Sequence, residues 1–136
     1  MDFRGKVALI TGSSRGIGAS IAKAFANEGA AIAINYVKNE SAALDTVENC
    51  ENVGGIASSF KADVTTREEA RLLVESVQSE FGKIDILVNN AFRSYDFDPE
   101  QRKMLCDLNW VHYHSQLEGS LRATITLCKA VLPLMQ

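Results

Sequence analysis

Apolar positions along the chain follow two alternating patterns. Residues 6–11 (KVALIT) form a short continuous apolar run between Gly5 and Gly12, which predicts a buried strand. Residues 16–28 follow with Ile17, Ile21, Ala24 and Phe25 at helical spacing, and Gly29 stands where a helix would stop. A second apolar run covers 30–35 (AAIAIN), a less regular helical pattern covers 40–52 up to Gly54 and Gly55, and a third strand is expected over 56–62. Thr66 and Glu69 have the spacing of a capping box. Behind them Ala70, Leu73, Val74, Val77 and Phe81 share one helical face, closed by Gly82. Residues 84–89 (IDILVN) make a fourth strand candidate, and residues 92–99 read as a polar and aromatic loop. A long helix is expected over 109–132, with Val111, His114, Leu117, Leu121, Ile125, Cys128 and Leu132 on its apolar stripe and Pro133 ending or kinking it.

Strands that are apolar throughout and separated by helices belong to a parallel sheet covered on both faces. Right-handed crossovers then restrict the topology to an α/β doubly wound sheet. The whole of 1–136 reads as one domain, with no internal repeat and no low-complexity tract.

Composition narrows this only slightly. Hydrophobic residues make up 46% and charged residues 23%, which permits a packed core. A net charge of −3 gives no general attraction to nucleic acid or to an anionic membrane. No apolar stretch is long enough to span a bilayer, and the first residues lack a signal-peptide pattern. Cys50, Cys106 and Cys128 are odd in number and unpaired in spacing, so they read as free thiols in a reducing cytoplasm.

The chemistry-bearing feature is Thr11-Gly12-Ser13-Ser14-Arg15-Gly16-Ile17-Gly18, directly between the first strand and the first helix. Gly12 allows a sharp turn, Gly16 lets backbone approach a pyrophosphate, and Gly18 lets the helix pack close to the sheet. The helix N-terminus adds unpaired N–H groups and a favourable dipole for the phosphates. An ordinary glycine-rich turn is the alternative, and the strand–turn–helix context weighs against it.

The turn resembles the Thr-Gly-x-x-x-Gly-Ile-Gly motif of short-chain dehydrogenases/reductases. Asp63-Val64 after the third strand and Asn89-Asn90-Ala91 after the fourth are similar to two further motifs of that family, in the right order. The wider pattern resembles the beta-ketoacyl-acyl carrier protein reductase branch. The resemblance implies that Asp63 and Val64 contact adenine and that Asn89 steadies the sheet near the cofactor. It implies hydride transfer between a nicotinamide and a carbonyl or alcohol substrate. For the dinucleotide, Arg15 and Lys38 offer positive charge and Asn35 stands where an acid would favour NAD. In the family, Ser14-Arg15 and Asn35 at these positions go with NADP(H), so NADP(H) is expected ahead of NAD(H), with Ile17 among the cofactor-binding residues of the turn. The resemblance further implies a Rossmann-like sheet of strand order 3-2-1-4, ending after the fourth strand and the long helix, with 1–136 as one partial dinucleotide-binding domain. Solvated surface charge is the other reading of Arg15 and Lys38.

The family's Tyr-x-x-x-Lys pair is absent: Tyr36, Tyr95 and Tyr113 are followed four residues on by Glu40, Pro99 and Leu117. A phenol titrates near ~10, so an adjacent ammonium is needed for proton transfer at neutral pH. Ser120 falls at the position of the family's supporting Asn, and Asn109 is expected to cap the long helix. Phe92 replaces a Gly and would either narrow the nicotinamide site or swing outward. His112 and His114 lie two apart on a helix and are poor partners for one metal. The expectation is a cofactor-binding half of an oxidoreductase, inactive alone, as a fragment or half of a two-chain assembly. The alternative is a non-catalytic nucleotide-binding or interaction module. The fourth strand and the 109–132 helix would then mediate association, including homo-oligomer formation.

Overall fold

The four strand candidates become four parallel strands, of which the central two are buried under helices on both sides of the sheet. The computed structural model describes residues 2–92, 100 and 103–135. Strands β1 (Val7–Ile10), β2 (Ala31–Tyr36), β3 (Ile56–Lys61) and β4 (Ile86–Val88) form one sheet in the order β3-β2-β1-β4. All three pairings are parallel, with Leu9 facing Ala33 in β2 and Leu87 in β4. The chain therefore has the doubly wound arrangement expected from the alternation.

Helices α1 (Gly16–Asn27) and α2 (Glu40–Glu51) cover one face, around Ala8, Ile10, Ile32 and Ile34. Helix α3 (Arg67–Phe81) covers the other, around Val7, Leu9 and Ala33. Two details at α1 and α3 differ from expectation. The face of α1 against the sheet carries Gly18, Ala22 and Ala26, while Ile17 and Ala24 face outward. Small residues win this face because the helix must lie close to the strands. At α3, Thr66 Oγ1 accepts from Glu69 N at 3.3 Å, as a cap should. The Glu69 carboxylate, however, accepts from Asp63 N at 2.7 Å and so braces the end of β3.

The helix expected over 109–132 is present but broken. Helix α4 (Trp110–Leu117) passes through a π turn (Glu118–Arg122) into α5 (Ala123–Val131), and a 3-10 turn (Leu132–Leu134) containing Pro133 ends it. Asn109 occupies the N-cap position, and its N–H donates to His112 Nδ1 at 3.2 Å. The buried face is Gly119, Ala123, Leu127 and Val131, packed on α3. The expected stripe is mostly on the other side: Val111, His114, Leu117, Leu121, Ile125 and Leu132 are exposed, and only Cys128 is half-buried. Both faces of this segment are apolar, so periodicity alone could not choose between them. The small residues at 119 and 123 decided it, by letting backbone approach the layer beneath. Most of the 92–99 loop, with Tyr95, lies outside the described residues.

Candidate functional site

The carboxyl ends of the four strands meet along one edge of the sheet, where an open parallel sheet forms its crevice. Residues 11–18 turn there from β1 into α1, and three neighbouring elements hold them in place.

Asn35, at the end of β2, is 1% exposed and makes the first set of bonds. Its Oδ1 accepts from Gly12 N at 3.2 Å, and its Nδ2 donates to Ala62 O at 3.0 Å. Its own N–H donates to Ser13 Oγ at 3.2 Å, and Ser13 Oγ donates to Ile10 O at 2.7 Å. The side chain expected to mark dinucleotide preference is thus internal and fully engaged. It joins three strand ends rather than facing a ligand. Next to it, burial pushes the Tyr36 phenol up, and the charge and hydrogen bond of Glu40 add to the shift.

Asn90, after β4, makes the second set. Its Nδ2 donates to Thr11 O at 2.9 Å and to Gly12 O at 3.1 Å. The N–H groups of Asn90 and Ala91 donate to Thr11 Oγ1 at 3.0 and 2.9 Å. Asn90 thus ties the end of β4 to the glycine turn. Asn89 is exposed, and its Nδ2 donates to Cys128 Sγ at 3.5 Å. The third element is α2, whose Thr46 Oγ1 lies 3.0 Å from Ser14 O.

The glycines divide the work. Gly12 and Gly16 both have φ +60, a backbone region that side chains rarely adopt. A Cβ on Gly12 would come within 3.0 Å of Ala91 Cα. A Cβ on Gly18 would lie 2.7 Å from Asn90 Nδ2 and 2.8 Å from Gly12 O, so this glycine sets the approach of α1 to the strand ends. At Gly16 the same test meets nothing within 4 Å. The turn is therefore packed on its inner side and open on its outer side. At that open side Arg15 is the N-cap of α1 and makes no side-chain capping bond. The first N–H groups of α1 point out of a twelve-residue helix with its dipole behind them. Ile17 beside them is 76% exposed, and Arg15 and Lys38 are exposed as well.

A family model for short chain dehydrogenases matches residues 6–136. The chain belongs to the short-chain dehydrogenase family. It is 35% identical over 129 residues to the protein named "Putative oxidoreductase YtkK" of Bacillus subtilis, covering 95% of this chain and 49% of that protein. An uncharacterized oxidoreductase of Methylorubrum extorquens is 48% identical over 89 residues, 65% of this chain and 36% of that protein. Among solved structures, a short-chain dehydrogenase/reductase of Serratia marcescens superposes with a TM-score of 0.86 at 31% identity, over 100% of this chain and 53% of that one. A short chain dehydrogenase of Burkholderia cenocepacia in complex with NADP has a TM-score of 0.84 at 37% identity, over 99% of this chain and 53% of that one. The chain thus spans about half, or less, of the length of the relatives it matches.

Other residues of this short-chain dehydrogenase chain stand as follows. Asp63 Oδ1 accepts from Thr65 N at 3.0 Å and Thr65 Oγ1 at 2.6 Å, and Val64 is buried beside it. Phe92 is 73% exposed. Ser120 is exposed in the π turn and donates to Gln116 O at 2.6 Å within its own helix. His114 Nε2 lies 3.6 Å from Glu118. Sequence reasoning passed over Thr11, Ser13 and Thr46 as site residues. Their signal was a hydroxyl inside an otherwise apolar, buried pattern, where it must find a partner.

Proposed function

We propose that this chain is the NADP(H)-binding part of a short-chain oxidoreductase that interconverts carbonyl and alcohol groups. One observation carries the reading: the open outer side of the 11–18 turn, where a Gly16 Cβ would meet nothing, lies at the uncapped N-terminus of α1. A pyrophosphate suits that space and those N–H groups. Ser14, Arg15, Gly16, Ile17 and Gly18 would hold it. Arg15 and Lys38, both exposed cations, would take a ribose 2′-phosphate, with NAD(H) the less favoured occupant. Asp63 and Val64 would sit toward the adenine, and Asn89, Asn90 and Ala91 toward the nicotinamide. Bound NADPH supplies a hydride from nicotinamide C4.

These 136 residues contain no Tyr-x-x-x-Lys and would not turn over a carbonyl substrate by themselves. For the whole protein a small carbonyl substrate is proposed, with a beta-ketoacyl thioester first on the strength of the sequence resemblance. The cytoplasm is the proposed compartment; no helix of the described residues is long and apolar enough to cross a membrane. Association is proposed through the outer edge of β4, which pairs with no described strand, and the exposed apolar side of α4 and α5.

The test is fluorescence titration of the 136-residue chain with NADPH and NADH, followed by assay with a beta-ketoacyl thioester. Binding, tighter for NADPH and without turnover, is expected. Failure to bind either dinucleotide would overturn the cofactor reading, and turnover by the pure chain would overturn the inactivity. A monodisperse monomer by sedimentation would overturn the association.

A further inference from the structure

The buried face of α2 reads Ala43, Thr46, Cys50. Two of these three positions are apolar, and packing of α2 on the sheet does not itself need a hydroxyl at the third. Thr46 is nevertheless 4% exposed and keeps its hydroxyl between two acceptors, Ser14 O and Ala42 O, both at 3.0 Å. The Ala42 carbonyl belongs to its own helix and is the routine partner of a helical threonine. The Ser14 carbonyl belongs to the glycine turn, thirty-two residues away in sequence.

The anchors of the turn are ordered along the chain. Asn90 holds Thr11 and Gly12, and Asn35 holds Gly12 and Ser13. Thr46 holds Ser14, and beyond Ser14 the chain enters Arg15 and Gly16, whose outer side is open. Thr46 is thus the last side chain to grip the turn before the N–H groups that would meet phosphate. It is also carried by the helix that begins directly after Tyr36, Val37 and Lys38.

We infer that Thr46 is a positioning residue: it fixes the Ser14 peptide, and through it the aim of the following N–H groups at the dinucleotide phosphates. The inference rests on the dinucleotide reading above. Donors fixed before the ligand arrives bind it without an ordering cost, so loosening Ser14 weakens the complex even though Thr46 touches no ligand.

The test uses the 136-residue chain with Thr46→Val, which keeps the shape and removes the hydroxyl, and Thr46→Ser, which keeps the hydroxyl and removes a methyl. NADPH titration and thermal unfolding without ligand are measured on each. Thr46→Val should bind NADPH about three- to tenfold more weakly than the parent chain, the weight of one lost hydrogen bond. Thr46→Ser should bind within about twofold of the parent while losing unfolding midpoint through its missing buried methyl. Affinity then follows the hydroxyl and not stability, an order that a purely structural role does not produce. Equal affinity in Thr46→Val and the parent, or equal loss in the two variants, overturns the role of Thr46. Absence of NADPH binding in the parent itself instead overturns the dinucleotide reading.

Discussion

Replacing Asn35 by Asp separates two roles that the same position could have. If residue 35 faced the ribose, a carboxylate there would repel a 2′-phosphate and shift preference from NADP(H) toward NAD(H). In the structure Asn35 is instead sealed between strand ends, with Oδ1 receiving the Gly12 N–H and Nδ2 feeding Ala62 O at 3.0 Å. An Asp keeps the acceptor and loses the donor. The lost bond costs about 1 kcal/mol, and leaving the Ala62 carbonyl unsatisfied costs about 1–3 kcal/mol more. The new carboxylate oxygen also faces Ala62 O and, at 3.4 Å in the parent, Phe60 O. Charge is disfavoured in that place, so the group takes up a proton at a pH well above its ordinary ~4. Its folded pKa is then above its unfolded pKa, and the destabilisation grows as pH rises between the two. The total expected near neutral pH is about 3–5 kcal/mol, a large share of the 5–15 kcal/mol typical of a domain. Urea unfolding at pH 5 and pH 8, with NADPH and NADH titrations alongside, reads out both consequences. The expected result is a lower midpoint that worsens at pH 8, with no switch of dinucleotide preference. A variant as stable as the parent, with preference moved to NADH, would show that Asn35 faces the ligand.

Other perturbations have outcomes set by the same geometry. Gly18→Ala gains about 1 kcal/mol of helix propensity but drives a Cβ into Asn90 Nδ2, Gly12 O and Ser13 Cα, all under 3.0 Å, two of them backbone. Overpacking should win with a net loss of about 2 kcal/mol, and equal or greater stability in denaturant melts would contradict the packing role. Burial pushes the Asp85 carboxyl up, but the Val7 N–H and the ammonium groups of Lys83 and Lys6 outweigh it and hold the carboxyl below its ordinary range. Its stabilisation is therefore present above ~4 and lost as pH falls through the lower folded value. Asp85→Asn should cost about 1 kcal/mol at pH 7, since the lysines are half exposed, and the gap should close in acid; a constant gap across pH would refute the charge contribution. Burial, with Glu51 assisting against Lys23, pushes the Cys50 thiol up. A thiol reagent at pH 8 should therefore modify exposed Cys106 at once and Cys50 only on unfolding, and rapid labelling of Cys50 in folded chain would show that α2 opens.

The sequence by itself determined the layering and where the glycine turn falls. Those follow from local signals: continuous apolar runs, glycine at the stops, and TGSSRGIG between a strand and a helix. It also held the family, because three motifs in order are a linear property of the chain. Tertiary structure decided which side chain does what. Asn35 looked like a ligand-facing position and is a strand latch, because only folding brings Gly12, Ser13 and Ala62 around it. The amide that holds the turn from β4 is Asn90, since only folding brings the end of β4 beside Thr11 and Gly12. The buried face of α5 is Ala123, Leu127 and Val131 and not the bulkier stripe, since close approach to α3 is a matter of space that periodicity does not measure. Thr46 acquired its role from Ser14, a partner distant in sequence that no spacing rule connects to it. Period and turn chemistry are carried by neighbours along the chain; hydrogen-bond partners and packing faces are set by neighbours across it.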